Sequence, residues 1–350
     1  MADYKFEGWI ALDKETGVGG MKWQQYEPKQ FEDTDVDIKI SHCGVCGTDV
    51  HSLRSALFPT DYPCCAGHEI VGTIIKVGPK VAGGLQVGSL AGVGPQIGSC
   101  SDCEACISGN QNHCMKMVQT YNSRYPDGVK TMGGYAKYWR GPSDWVFLIP
   151  GGMSASEAAP MLCGGITLYS PLKRFGAGPG KSVGIIGIGG LGHFGILFAK
   201  ALGADKVVAV SRNSKKKSDA FKLGATDFIA TDEEEGWSMK HFGSCDLIIS
   251  TVSTSQVPLG DYLNLLKTNG NFVQLGAPAL PEVQVAILIF RGLSLSGSLI
   301  GSPTEIREML DFAVKKNVHP LIEEKPMHDA NNVITDMDKG LARYRYVLVN

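Results

Sequence analysis

The stretch that most limits what this chain can fold into runs from Lys181 to Ser298, where short apolar segments alternate with helix-like ones. Residues 182–186, 206–210, 227–230, 246–250, 271–275 and 293–298 read as strands, with helices at 190–202 and 214–223 among the connections. Strands that are apolar along their length are buried on both faces, and intervening helices make the sheet parallel and covered on each side. At 350 residues the chain exceeds one such domain, so a second is expected. The first 150 residues have a different texture. Strand-like runs at 37–41, 70–77 and 135–139 are punctuated by Gly, Pro and Asp, the pattern of a barrel-like β region. Residues 154–171 read as helical, with Ser156 and Glu157 near the start. The tail from Thr304 carries another helix and a last strand at 346–349, and the sequence leaves open whether it returns to the first domain.

Residues 183–203 have the length of a membrane span, about 20 residues. Glycines interrupt them (Gly184, Gly187, Gly189, Gly190, Gly192 and Gly195 among them), and Lys181 and Lys200 bracket the run. A buried strand leading into a buried helix accounts for this better than a span. There are 33 basic and 35 acidic residues, so no excess charge draws the chain to nucleic acid or an anionic membrane. The beginning, Met1 to Glu7, lacks the apolar core of a secretory signal, which implies a reducing, cytoplasmic setting. Ten cysteines in that setting read as thiolates instead of disulfides.

Gly187-Ile188-Gly189-Gly190-Leu191-Gly192 follows the first strand of the parallel region and opens a helix. In that position the first glycine permits the turn, the second lets backbone approach a pyrophosphate, and the third packs helix on strand. A carboxylate about 20 residues further on would bind the ribose hydroxyls of NAD. That position holds Val210-Ser211-Arg212-Asn213, followed by Lys215, Lys216 and Lys217. Cations and a hydroxyl suit the extra 2′-phosphate of NADP(H), whereas a merely solvated helix start is the alternative.

Cys100, Cys103, Cys106 and Cys114 place four thiols within fifteen residues. Four sulfurs close a tetrahedral zinc shell, leaving no position for substrate, so such a site is structural. An iron–sulfur cluster is the alternative with the same ligand type. A second set is dispersed: Cys43-Gly-Val-Cys46-Gly-Thr48-Asp49-Val-His51, then Gly67-His68-Glu69, then Leu162-Cys163-Gly164-Gly165. Two thiolates and one imidazole would form an open, catalytic zinc site. The sequence does not choose between Cys43 and Cys46. Cys64 and Cys65 lie close to His68, and a Cys43–Cys46 redox pair is a further reading.

Taken together, these motifs resemble the zinc-containing medium-chain alcohol dehydrogenases, and among them the cinnamyl alcohol dehydrogenase-like branch. The resemblance rests on Gly67-His68-Glu69-x2-Gly72-x5-Gly78-x2-Val81, the Cys43–Asp49 segment, the four-cysteine lobe, Thr120-Tyr121-Asn122, Gly133-Gly134-Tyr135-Ala136 and Leu162–Gly165, and it spans essentially the whole chain. It implies an α/β architecture with a GroES-like β-barrel catalytic domain at 1–155 and 300–350, around a doubly wound, parallel-sheet (Rossmann) NADP-binding domain at 156–299. It implies two zinc ions per chain, with Cys46, His68 and Cys163 on the catalytic one and Glu69 as its alternate ligand. Cys100, Cys103, Cys106 and Cys114 would hold the structural one. Asp49 would orient His68, Thr48 and His51 would relay a proton, and Ser211, Arg212 and Lys216 would hold the 2′-phosphate. A homodimer paired through cofactor-domain sheet edges is implied, with the apolar run 285–290 fitting an edge.

The expected reaction is reversible hydride transfer between NADPH and an aromatic or medium-chain aliphatic aldehyde, giving the primary alcohol. The rivals are an NAD-linked polyol or secondary alcohol dehydrogenase and a non-enzymatic, zinc-stapled binding module. Gln119 stands where the plant lignin-pathway enzymes carry Trp, so their coniferyl-type preference does not carry over. Phe58, Tyr121 and residues 287–290 read as core, with pocket lining as the alternative.

Overall fold

The computed structural model describes residues 4–56, 58–253, 257–277 and 285–350. The chain forms two compact units, one of Met1–Cys163, Gly301–Lys315 and Leu321–Asn350, the other of Gly164–Ile300 and Lys316–Pro320.

The second unit is built on a six-stranded sheet in which every pairing is parallel. Its spatial order is Asp227–Ala230, Lys206–Ser211, Ser182–Ile186, Cys245–Ser250, Leu266–Gln274, Ser294–Gly297. In order of sequence that is 3-2-1-4-5-6, the doubly wound arrangement whose reversal point lies at the first strand. Ser182–Ile186 is buried at every position, as a central strand covered on both faces must be. The glycine segment leaves from its C-terminal end and runs into the helix Gly192–Ala201. Leu266–Gln274 begins earlier than its apolar part suggests, because Lys267, Thr268 and Asn269 conceal its first residues. The apolar segment 183–203 is thus a strand and a helix, and among the described residues no helix is long and apolar enough to cross a membrane.

Residues 285–290 are not an edge strand. They lie in the helix Val285–Arg291, with Ile287 and Leu288 packed on the core and Val285, Ile289 and Phe290 exposed. A run of six apolar residues carries no period, so it cannot tell strand from helix. The sheet edge is Ser294–Gly297 instead.

In the first unit a sheet runs Val146–Leu148, Leu90–Val93, Ile70–Val77, Asp35–Gly44, Arg345–Val349, Ile322–Pro326. Tyr138–Pro142 also pairs with Asp35–Gly44, beside the beginning of that strand, while Arg345–Val349 pairs beside its end. The path of strands does not close into a ring among the described residues. A separate three-stranded sheet joins Lys22–Gln25, Glu7–Ala11 and Cys64–Cys65. The tail therefore does return: its last strand lies antiparallel to Asp35–Gly44, placing Leu348 opposite Cys43.

The helical stretch after Pro150 is broken. Ser154 caps Ala155–Pro160, its hydroxyl accepting from Glu157 N while Glu157 Oε2 accepts from Ser154 N at 3.1 Å. A π-helical turn, Met161–Gly165, follows, and Ile166–Arg174 resumes the α-helix. Proline at 160 removes a backbone donor and Gly164-Gly165 loosens the backbone, so regular bonding lapses at Cys163.

Candidate metal centres and cofactor cleft

Asp35–Gly44 delivers Cys43 and then turns through Val45 to Cys46, which caps the short helix Gly47–Leu53. Cys46 N donates to Asp49 Oδ2 at 2.9 Å, so the cap fixes the thiol's backbone. His68 and Glu69 arrive just before the strand Ile70–Val77, and Cys163 on the π turn. One donor atom from each of Cys46, His68, Glu69 and Cys163 lies within 4.8 Å of the others, and all four residues are buried. His68 Nε2 is 3.2 Å from Cys163 Sγ, and His68 Nδ1 is 3.1 Å from Asp49 Oδ1. Engaging Nδ1 with a carboxylate leaves the Nε2 lone pair for a metal.

This arrangement selects Cys46 over Cys43. Cys43 Sγ turns to its neighbour Gly44 O at 3.6 Å, and burial pushes its thiol well above the ordinary range. The Cys163 thiol beside Cys46 instead draws Cys46 well below it. Cys64 and Cys65 stand on a strand paired to Glu7–Ala11, and burial raises both thiols, Cys64 to about 12.

Two features were not legible in the sequence. Arg345, buried in the last strand, makes an ion pair with Glu69 Oε1. Its only signal was a cation immediately before an apolar run. Burial raises the Glu69 carboxyl to about 6, with Arg345 opposing. The other Glu69 oxygen, Oε2, is buried without a hydrogen-bond partner. A Cβ on Gly44 would come within 1.9 Å of that oxygen, so only glycine leaves room for it. Two sulfurs, an imidazole and a buried carboxylate with one unpartnered oxygen make a donor set that a zinc ion fits.

Thr48 Oγ1 lies 3.6 Å from Cys46 Sγ, and His51 follows three residues later on the same helix face. Both are exposed, whereas Asp49 between them is buried. Tyr121 is buried, its ring centroid 5.7 Å from that of His68, but Phe58 is exposed, which corrects its reading as core. Residues 289 and 290 are corrected in the same way, being exposed on their helix. Gln119 is exposed on the strand Val118–Gln119.

The cysteine lobe is a second cluster. The Cys100, Cys103, Cys106 and Cys114 sulfurs lie within 4.8 Å of one another, at least partly open to solvent at Cys100 and Cys103. Cys100 Sγ is 3.5 Å from Cys114 Sγ and 3.9 Å from Cys106 Sγ. Tetrahedral zinc with bonds of about 2.3 Å holds its sulfurs about 3.8 Å apart, so the lobe has the right dimensions. Cys100 N and Lys116 N each donate to Cys114 Sγ at 3.4 Å, stabilising a thiolate there.

In the second unit, a cleft of about 740 Å³ opens between the glycine segment and the ends of Lys206–Ser211 and Asp227–Ala230. Gly187 has φ +86°, and a Cβ on Gly192 would meet Gly187 O at 1.9 Å, so these glycines serve the turn and the helix–strand contact. Gly189 has nothing within 4 Å of its Cβ position and opens on the cleft, while Gly190 and Leu191 carry the chain into the helix. Ser211, Arg212, Asn213 and Lys216 line the cleft, and Lys216 Nζ donates to Ile188 O at 2.5 Å. Asp232 is the one carboxylate among its described lining residues, and its backbone N–H is tied to Arg212 O at 2.8 Å.

With fold and sites in view, comparison with known proteins defines the class. Residues 32–151 match the alcohol dehydrogenase GroES-like domain, and residues 190–315 the zinc-binding dehydrogenase family. The chain belongs to the zinc-binding, medium-chain alcohol dehydrogenase family and is an oxidoreductase of that family. It is 41% identical over 349 residues to NADP-dependent alcohol dehydrogenase 6 of Saccharomyces cerevisiae, covering 99% of this chain and 96% of the other. A protein of Mesembryanthemum crystallinum described as a probable mannitol dehydrogenase is 39% identical over 344 residues, covering 97% and 93%. Among solved structures, a cinnamyl alcohol dehydrogenase of Sorghum bicolor superposes with a TM-score of 0.93 at 34% identity, covering 99% and 98%.

Proposed function

We propose that the protein reduces aldehydes to primary alcohols with NADPH, reversibly, at a zinc ion held by Cys46, His68 and Cys163, with Glu69 as a reserve ligand. The observation that carries this reading is the buried convergence of those four donors, with one Glu69 oxygen left without a partner. When bound, zinc supplies a Lewis acid that polarises a carbonyl oxygen, and NADPH supplies the hydride.

The chain's own residues do the rest. Asp49 fixes the His68 tautomer through Nδ1. Thr48 Oγ1, beside Cys46 and open to solvent, holds the proton destined for the product oxygen, and His51 one turn along replenishes it. A relay of this kind serves an oxygen that gains a proton, which favours C=O over C=C as the reduced bond. Cys100, Cys103, Cys106 and Cys114 would hold a second, structural zinc. In the cleft, Arg212, Lys216 and Ser211 would hold the 2′-phosphate, and Gly187, Gly189, Gly190, Leu191 and Gly192 would receive the pyrophosphate at a helix N-terminus.

The mannitol dehydrogenase relative keeps an NAD-linked polyol reading in play, and the absence of a carboxylate at 211–213 argues against it. Ten free thiols fit a cytoplasmic enzyme, and the exposed Leu295 on the edge strand Ser294–Gly297 fits a homodimer paired there.

The test is metal analysis of purified protein together with an aldehyde panel assayed with NADPH and NADH. Two zinc ions per chain and turnover mainly with NADPH are expected. One zinc per chain with no carbonyl turnover would overturn the reading, and mannitol oxidation with NAD would move it to the polyol class.

A further inference from the structure

Asp49 is wholly buried, yet both of its oxygens are fully engaged. Oδ1 accepts from Gly67 N at 3.2 Å and faces His68 Nδ1 at 3.1 Å. Oδ2 accepts from Cys46 N at 2.9 Å and from the Tyr135 hydroxyl, also at 2.9 Å. Two of the proposed zinc ligands thus lean on one carboxylate. Besides the histidine, the side-chain hydroxyl at hydrogen-bond distance is that of a tyrosine 86 residues further along the chain, while the Tyr121 hydroxyl also lies near enough to interact with the carboxylate.

Tyr135 is held in register with the His68 segment. Gly133 N donates to Cys65 O at 2.8 Å, Gly134 N to Gly67 O at 2.7 Å and Tyr135 N to Ala66 O at 3.0 Å. The approach requires glycines. A Cβ on Gly133 would meet Ala66 O and Gly67 O at 2.4 Å, and one on Gly67 would meet the Tyr135 ring at 2.6 Å. The Tyr135 ring is itself fully buried. Burial, with the Asp49 carboxylate adding, raises its phenol well above the ordinary range, so the hydroxyl stays a donor at working pH.

We propose that Tyr135 is a positioning residue for the zinc centre: its hydroxyl pins Asp49, and Asp49 sets the orientation of His68 and the placing of Cys46. The Gly133-Gly134-Tyr135 segment is the rigid strut that carries the hydroxyl there. This rests on the zinc site of the proposed function. Loss of a partner behind a metal-bound histidine typically costs about 10–100-fold in metal affinity.

The experiment uses the full-length, zinc-loaded protein and Y135F, which removes only one oxygen atom. Zinc release to an excess chelator is followed alongside residual metal content, and the cobalt(II)-substituted proteins are compared by visible absorption. Y135F should release one of its two zinc ions about tenfold faster and show shifted cobalt bands. The zinc of the cysteine lobe should leave at the unaltered rate. Y125F is the control for loss of a buried hydroxyl, because Tyr125 donates to Arg140 O at 3.2 Å, within the first unit's core and not to Asp49. It should behave as wild type. Adding Y135F to D49N should have a smaller effect than Y135F alone, since the carboxylate through which the hydroxyl acts is already gone. Wild-type release kinetics and an unchanged cobalt spectrum in a Y135F protein with two zinc ions would overturn the proposal. If Y135F does not fold, a Y135M variant, which likewise lacks a donor, with wild-type kinetics and spectrum would do the same. A wild-type protein with a single zinc would instead fault the zinc site itself.

Discussion

The cysteine lobe and the Cys46–His68–Glu69–Cys163 cluster use similar donors and reach them by opposite routes. The lobe collects four sulfurs from one short turn-rich segment and leaves two of its cysteines partly exposed. The other cluster gathers its donors from a helix cap, a strand entrance and a π turn, and buries all of them. Local chain closure suffices for the first. The second draws on elements far apart in sequence, and its polar groups are tied down by Asp49 and Arg345. A closed four-sulfur site is suited to holding a fold together, and a mixed site with a spare carboxylate is suited to exchanging a ligand.

Exchanging one ligand in each cluster sharpens this contrast most. C163S should lower turnover about a thousandfold, the several kcal/mol that a Lewis acid supplies, with one zinc retained and NADPH binding little changed. Unchanged turnover would remove Cys163 from the site. C103S should do the reverse, lowering Tm by about 5–10 °C while the folded protein keeps activity within a few fold. A thermal melt with a matched assay separates the two.

The glycine segment offers a smaller contrast. G192A forces a Cβ to within 1.9 Å of Gly187 O and should cost about 3 kcal/mol, read by urea denaturation. G189A meets nothing in the protein itself, so stability should hold and only NADPH affinity should fall. R212A should raise the KM for NADPH about 10–100-fold, as for a charge-assisted contact of about 1.5–3 kcal/mol, and leave NADH nearly unaffected. Equal loss for both nucleotides would refute a 2′-phosphate role. The smallest effect is expected for H51Q, a loss of about tenfold in kcat, partly restored by added imidazole, because His51 is exposed and solvent can stand in for it.

What could be read from the sequence follows the same division. The lobe was legible because its cysteines are close in sequence, and the parallel sheet because buried strands are uniformly apolar. The glycine segment gained meaning from its place between strand and helix. The choice between Cys43 and Cys46 was not legible, since it depends on which way the chain turns after Gly44. Val285–Arg291 resisted for a different reason: an unbroken apolar run has no period to read. Arg345 has no role legible in the sequence, and Tyr135 stands in a family-like motif without one, because their partners lie 276 and 86 residues away.

The strand Arg345–Val349 has a consequence for biosynthesis. It slots against Asp35–Gly44, and Arg345 lies under the Glu69 carboxylate. During translation Cys46, His68 and Cys163 leave the ribosome long before that arginine does. Until it arrives, the acidic side chain beside the thiols lacks its guanidinium partner, and one edge of the sheet stands open. Shortening the chain by six residues would therefore strike the proposed zinc site, although nothing near residue 46 had been touched.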